Sequence, residues 1–210
     1  TFGFKVHDGT EYSVGAYTMT INVNQGSYVK ANNSDDLNLA SSWVDGVVPS
    51  SSDIAIWDNT VTGANSVALG ADATWARIRI ADPGGMVTLS AGNALTLSEN
   101  GIDMSAATQD FKIWPNMTVT GNQAWNVNTG KKLIIRGGLS GAYSVTKSGD
   151  GDLEYNGSGI TYSGGTTVSA GTLKIGNGSA LGDLPGNVVN NSAIQFSRTD
   201  AYSYSGIISG

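Results

Sequence analysis

The chain reads as an all-β protein built as a right-handed parallel β-helix, a solenoid of short strands, and three observations predict it. Its 210 residues include 29 glycines and only 13% charged residues, a composition suited to short strands and tight corners rather than helices. Apolar and polar residues alternate in brief runs broken by glycine, and no segment keeps a helical period of useful length. The similar runs TLKIG at Thr172 and AIQFS at Ala193 begin 21 residues apart, the length of one coil with three short faces. At roughly that period, residues 30 to 210 make about eight coils.

The elements follow in order. Phe2 to Asn24 resembles the last hairpin of a bacterial immunoglobulin-like or cadherin-like module, with Phe2, Phe4 and Val6 on one strand and Met19, Ile21 and Val23 on the other. Residues 1–25 are therefore expected to be the end of a preceding module or a linker, and 26–210 a capped β-helix. Gly26 to Pro49 is non-repetitive and holds Trp43. It is the expected N-terminal cap, because bare strand edges invite aggregation, and Trp43 is expected to pack against the end of the stack.

Regular strands are expected at IAIW from Ile54, VAL from Val67, RIRI from Arg77, MVTLS from Met86, ALTLS from Ala94, FKIW from Phe111 and MTVT from Met117. They continue at AWNVN from Ala124, LIIRG from Leu133, YSVTK from Tyr143, DLEY from Asp152, TTVS from Thr166, TLKIG, NVV from Asn187, AIQFS and YSYSGII from Tyr202. The phrase GIISG at 206–210 restarts GGLSG at 137–141, 69 residues on, as though a new long repeat begins there in a module cut from a larger secreted polypeptide.

One stretch carries a pattern. Lys147, Gly149, Gly151 and Leu153, then Tyr162, Gly164, Gly165, Thr166 and Val168, then Gly171, Leu173 and Gly176 resemble the passenger-associated repeat of bacterial autotransporters. The resemblance covers the last third of the chain. It implies a β-helix and a secreted origin and names no activity.

Charge and composition exclude several classes. A net charge of −6 and a pI near 4.5 argue against nucleic acid, whose phosphates demand a basic face. The absence of cysteine removes disulfides, thiolate zinc sites and thiol nucleophiles. No apolar run approaches the ~18–20 residues of a membrane span, so no membrane partner is expected.

Parity along a strand sends alternate side chains to opposite faces. With Ile54 and Ile56 inward, Trp57 points out; with Phe111 and Ile113 inward, so does Trp114. In WARIRI, Ile78 and Ile80 take the core and leave Trp75, Arg77 and Arg79 outside, whereas Trp125 shares parity with Val127 and lies within. Exposed indoles flanked by Arg77, Arg79 and Asp58 would offer flat rings and polar edges to pyranoses, and successive coils about 4.8 Å apart would align them along a polysaccharide.

Short β-helical modules preceded by an immunoglobulin-like domain resemble parts of secreted bacterial polysaccharide-degrading proteins, and carbohydrate-binding module family 89 is a xylan-binding parallel β-helix. The resemblance is one of architecture and aromatic content. It implies a non-catalytic, monomeric, extracellular module that binds xylan or a related plant cell-wall glycan beside an appended catalytic domain, with Trp57, Trp75, Trp114, Arg77, Arg79 and Asp58 as ligand residues. No cofactor is expected beyond a structural calcium at the Asp-rich turns.

Two rivals stand beside this reading. A pectate-lyase-like enzyme would draw carboxylates from Asp103, Asp110, Asp150, Asp152 and Glu154 and a base from Arg77, Arg79 or Arg136. The chain's one histidine, His7, lies before the β-helix, so a Ser-His-Asp triad or a histidine zinc site has no partners there. The other rival is a structural spacer or adhesin segment, a rigid β-helical rod of the autotransporter type.

Overall fold

Alternation on a short period builds parallel ladders rather than hairpins. The computed structural model describes residues 2–4, 10, 17–19 and 25–210. Three sheets run along the stack. The first has nine strands from Ser27–Val29 to Ile208–Ser209, the second seven from Asn65–Val67 to Ala193–Arg198, and the third four from Ala73–Trp75 to Leu139–Ser140. The chain visits them in turn, and each strand pairs in parallel with its counterpart one coil on. The outcome is an all-β solenoid of about seven coils.

Seven coils rather than eight reflect longer early coils: the inter-coil bond from Arg77 to Asn100 spans 23 residues, whereas that from Ser192 to Gly171 spans 21. The third sheet ends at Leu139–Ser140, beyond which a single bridge joins Leu139 to Ile160. The two Gly-Leu/Ile-Ser phrases are not equivalent. Leu139–Ser140 lies in the third sheet and Ile208–Ser209 in the first, so the 69-residue spacing is not a structural repeat.

Away from the stack, Phe2–Phe4 pairs antiparallel with Tyr17–Met19, as the expected hairpin requires. Val6, His7, Ile21 and Val23 lie outside the described residues.

Inward side chains form columns. Ala55, Ile78, Ile102, Trp125, Lys147 and Val168 stack in register in the first sheet, all fully buried. Val87, Phe111, Leu133, Leu153 and Leu173 do so in the second. Each coil thus covers its neighbour's apolar floor while the ladders satisfy the backbone.

Residues 26–49 close the N-terminal end, as expected. Trp43 is buried, and its indole lies edge-on to Trp57 at 6.0 Å and to Trp75 at 6.2 Å between ring centroids. Trp57 in turn sits 6.4 Å from both Trp75 and Phe111. Polar bonds lock the cap: the Trp43 Nε1–H donates to the Leu37 carbonyl, the Trp57 Nε1–H to Asn65 Oδ1, and Asn65 Nδ2 to the Asn33 carbonyl. Lys30, fully buried, donates from Nζ to the carbonyls of Ala31 and Asn33 and to Asn33 Oδ1.

Asp53 ties the cap to the first coil. Its carboxylate accepts from Gly26 N–H, Ser50 N–H and the Ser50 hydroxyl, and its carbonyl accepts from Ala76 N–H. Burial pushes its pKa up, but those donors outweigh it and hold the carboxyl below its usual range. Because the folded pKa is depressed, the stabilisation is present above the unfolded value near ~3.9 and lost as pH falls through the folded one. Asp53→Asn is expected to cost about 1–3 kcal/mol at pH 7, with the difference from wild type shrinking below about pH 4, as read by urea unfolding at each pH.

Candidate functional site

The six expected ligand residues do not form one face. Trp57 and Trp75 are corrected: they are 0% and 1% exposed, inside the stack. In Ile54–Trp57 the buried parity is Ala55 and Trp57, because these pair with Ile78 and Ile80 of the next coil, while Ile54 and Ile56 face outward, half-buried. Trp75 ends a third-sheet strand and Arg77 begins a first-sheet strand, with the bend at Ala76 between them. Parity does not carry across that corner.

Arg77 and Arg79 do lie on the outer face of the first sheet. Arg77 donates from Nε to the Asn100 carbonyl and stands 4.0 Å from Asp103. Asp58 is turn chemistry, its carboxylate accepting from Thr60 N–H. Trp125 is buried, in agreement with its parity.

Trp114 is exposed, at 43%, just past the second-sheet strand Phe111–Ile113. It borders an open hollow of about 310 Å³ with Ser66, Thr88, Ser90 and Ala91. The Arg136 guanidinium, one coil on, sits 5.4 Å from the indole centroid, a cation–π distance. Sequence reasoning missed Arg136 as a neighbour, although a coil period near 22 residues added to 114 finds it.

The lyase carboxylates are dispersed. Asp103 lies on the first sheet, Asp152 and Glu154 on the second. Asp110 accepts Lys132 N–H, and Glu154 is nearly buried between Lys132, at 2.9 Å, and Lys174, at 3.9 Å. Among the described residues no three His, Asp or Glu side chains gather where they could hold a metal.

The residues of the autotransporter-like pattern all have structural work. Lys147 points into the core, in column with Trp125 and Val168, and its Nζ donates to the carbonyls of Ser148, Gly149 and, in the next coil, Ala170. Burial brings its pKa down to about 8 against the opposing pull of Asp152 and Asp150. The Tyr162 hydroxyl bridges Thr166 Oγ1 at 2.5 Å and the Tyr155 hydroxyl at 3.1 Å, all buried, and burial pushes both phenols up.

Gly171 closes the pattern's turn at φ +67°. A Cβ there would lie 2.3 Å from the Gly151 carbonyl oxygen and 2.8 Å from Lys147 Nζ. Gly171→Ala combines left-handed strain with that collision, and a loss of about 2–3 kcal/mol is expected in urea unfolding.

Together these features define a capped parallel β-solenoid with autotransporter-type coils and no assembled catalytic cleft among the described residues. Over 49 residues, 23% of the chain, it is 53% identical to a protein named "Adhesin BmaC autotransporter" from Brucella suis biovar 1 (strain 1330), and the match spans 1% of that protein's length. No protein-family model matches the chain, and no solved structure matches it.

Proposed function

We propose that the chain is a non-catalytic stalk segment of an autotransporter-type adhesin, exposed at the cell surface or secreted. The observation that carries this reading is the run from Lys147 to Gly176. Its patterned residues, the buried ammonium, the Tyr162–Thr166 bridge and the leucines of the core columns, are committed to stacking one coil on the next. The local similarity to an adhesin supports it.

A xylan-binding module is the second reading, and Trp114 is the observation that favours it. A ladder of rings along the rod is absent, since Trp57 and Trp75 face inward. The test is to place the chain between a secretion signal and an outer-membrane translocator barrel and follow it at the cell surface. The stalk reading predicts a surface-exposed, protease-resistant passenger with no activity on a polysaccharide panel. Release of reducing ends or unsaturated uronates, or a passenger that stays protease-sensitive after export, contradicts it.

A further inference from the structure

The outer face of the second sheet differs from the rest of this acidic protein. Ser66, Thr88 and Lys112 stand in register on successive coils, and Ser90, Trp114 and Arg136 form the neighbouring column, linked by Trp114 N–H to the Leu89 carbonyl and Arg136 N–H to the Ile113 carbonyl. Three hydroxyls, an ammonium, an indole and a guanidinium thus share one patch. Neither Lys112 nor Arg136 forms an ion pair among the described residues, and Arg136 Nε has no acceptor.

We infer that this patch is a binding site for a carboxylated pyranose, a hexuronate unit of an acidic glycan. The C–H face of the sugar stacks on the Trp114 ring, as aromatic platforms favour. The hollow beside it places the hydroxyls of Ser66, Thr88 and Ser90 at the ring's edge. The carboxylate meets Arg136 and Lys112, where charge-assisted bonds are stronger than neutral ones. A neutral glycan would leave both cations unused, and that difference sets the preference. One indole means one stacked ring and an open face, so affinity falls in the millimolar range.

The site is independent of the stalk reading, since a rod carries it on its side without change to its coils. The experiment is an NMR titration following the indole N–H resonances of the whole chain, with galacturonate tetramer, hyaluronan tetrasaccharide and xylotetraose as probes. Expected are a saturable shift of the Trp114 resonance with at least one acidic oligomer, its loss in Trp114→Ala, and about tenfold weaker acidic binding in Arg136→Gln. The buried indole resonances report that each variant is folded. Which acidic probe responds separates a plant-type from an animal-type source. No shift with either acidic oligomer at tens of millimolar, or xylotetraose binding equally and unaffected by Arg136→Gln, overturns the inference.

Discussion

Trp57→Ala is expected to destabilise the protein by about 3–5 kcal/mol, the cost of truncating a fully buried large aromatic, whereas Trp114→Ala stays within about 1 kcal/mol. Trp57 sits at the centre of the end cluster, in ring contact with Trp43, Trp75 and Phe111. Its removal opens a cavity beneath the cap and strips Asn65 Oδ1 of its donor, and Asn65 is what anchors the Asn33 carbonyl. The cap therefore loosens along with the core. Urea unfolding of the two variants side by side measures it, and equal losses would mean that the two indoles share one environment.

Lys147→Met is expected to cost about 2–3 kcal/mol at pH 7. Methionine keeps the aliphatic volume in the column between Trp125 and Val168 but leaves the carbonyls of Ser148, Gly149 and Ala170 without their shared donor. The bond to Ala170 crosses between coils, so the loss falls on the stacking interface itself. The pH dependence has a definite sign. The folded pKa near 8 lies below the ordinary 10.5, so between those values the unfolded chain holds a proton the folded one has released, and stability rises with pH. The advantage of wild type over Lys147→Met should grow from about pH 8 to 10.5 and then level off. An advantage that falls above pH 8 would mean that the three carbonyls favour the ammonium more than burial opposes it.

Much of the fold was legible because each coil repeats the same constraint. Phe111 with Ile113, Val87 with Leu89 and Leu133 with Ile135 alternate cleanly and pair in register, and the non-repetitive segment around Trp43 announced the cap. The third-sheet strands Ala73–Trp75 and Leu139–Ser140 were missed, as were Ser27–Val29 and Ile102–Met104. Strands of two or three residues hold too little alternation to declare themselves.

The site was less legible. Hydropathy favours Ile54 and Ile56 over Ala55 for the core, but the register with the next coil decides against it, aligning Trp57 with Ile80. The coil period held that information, because an odd step from Trp57 lands on Ile78 or Ile80. Lys147 read as a turn residue of the pattern, yet it shares parity with Val145, and both are buried. At Ala76 one bend separates two sheets, and nothing local in WARIRI marks it.

Fluorine NMR of the protein labelled with 5-fluorotryptophan, with a soluble paramagnetic quencher, tests most directly whether this is a rod with an aromatic core rather than an aromatic platform. Five resonances are expected from the five tryptophans. One should broaden steeply with quencher and vanish in Trp114→Phe, while those of Trp43, Trp57, Trp75 and Trp125 stay sharp. Broadening of the Trp57 or Trp75 resonance alongside that of Trp114 would contradict the account, because it would return those rings to the surface.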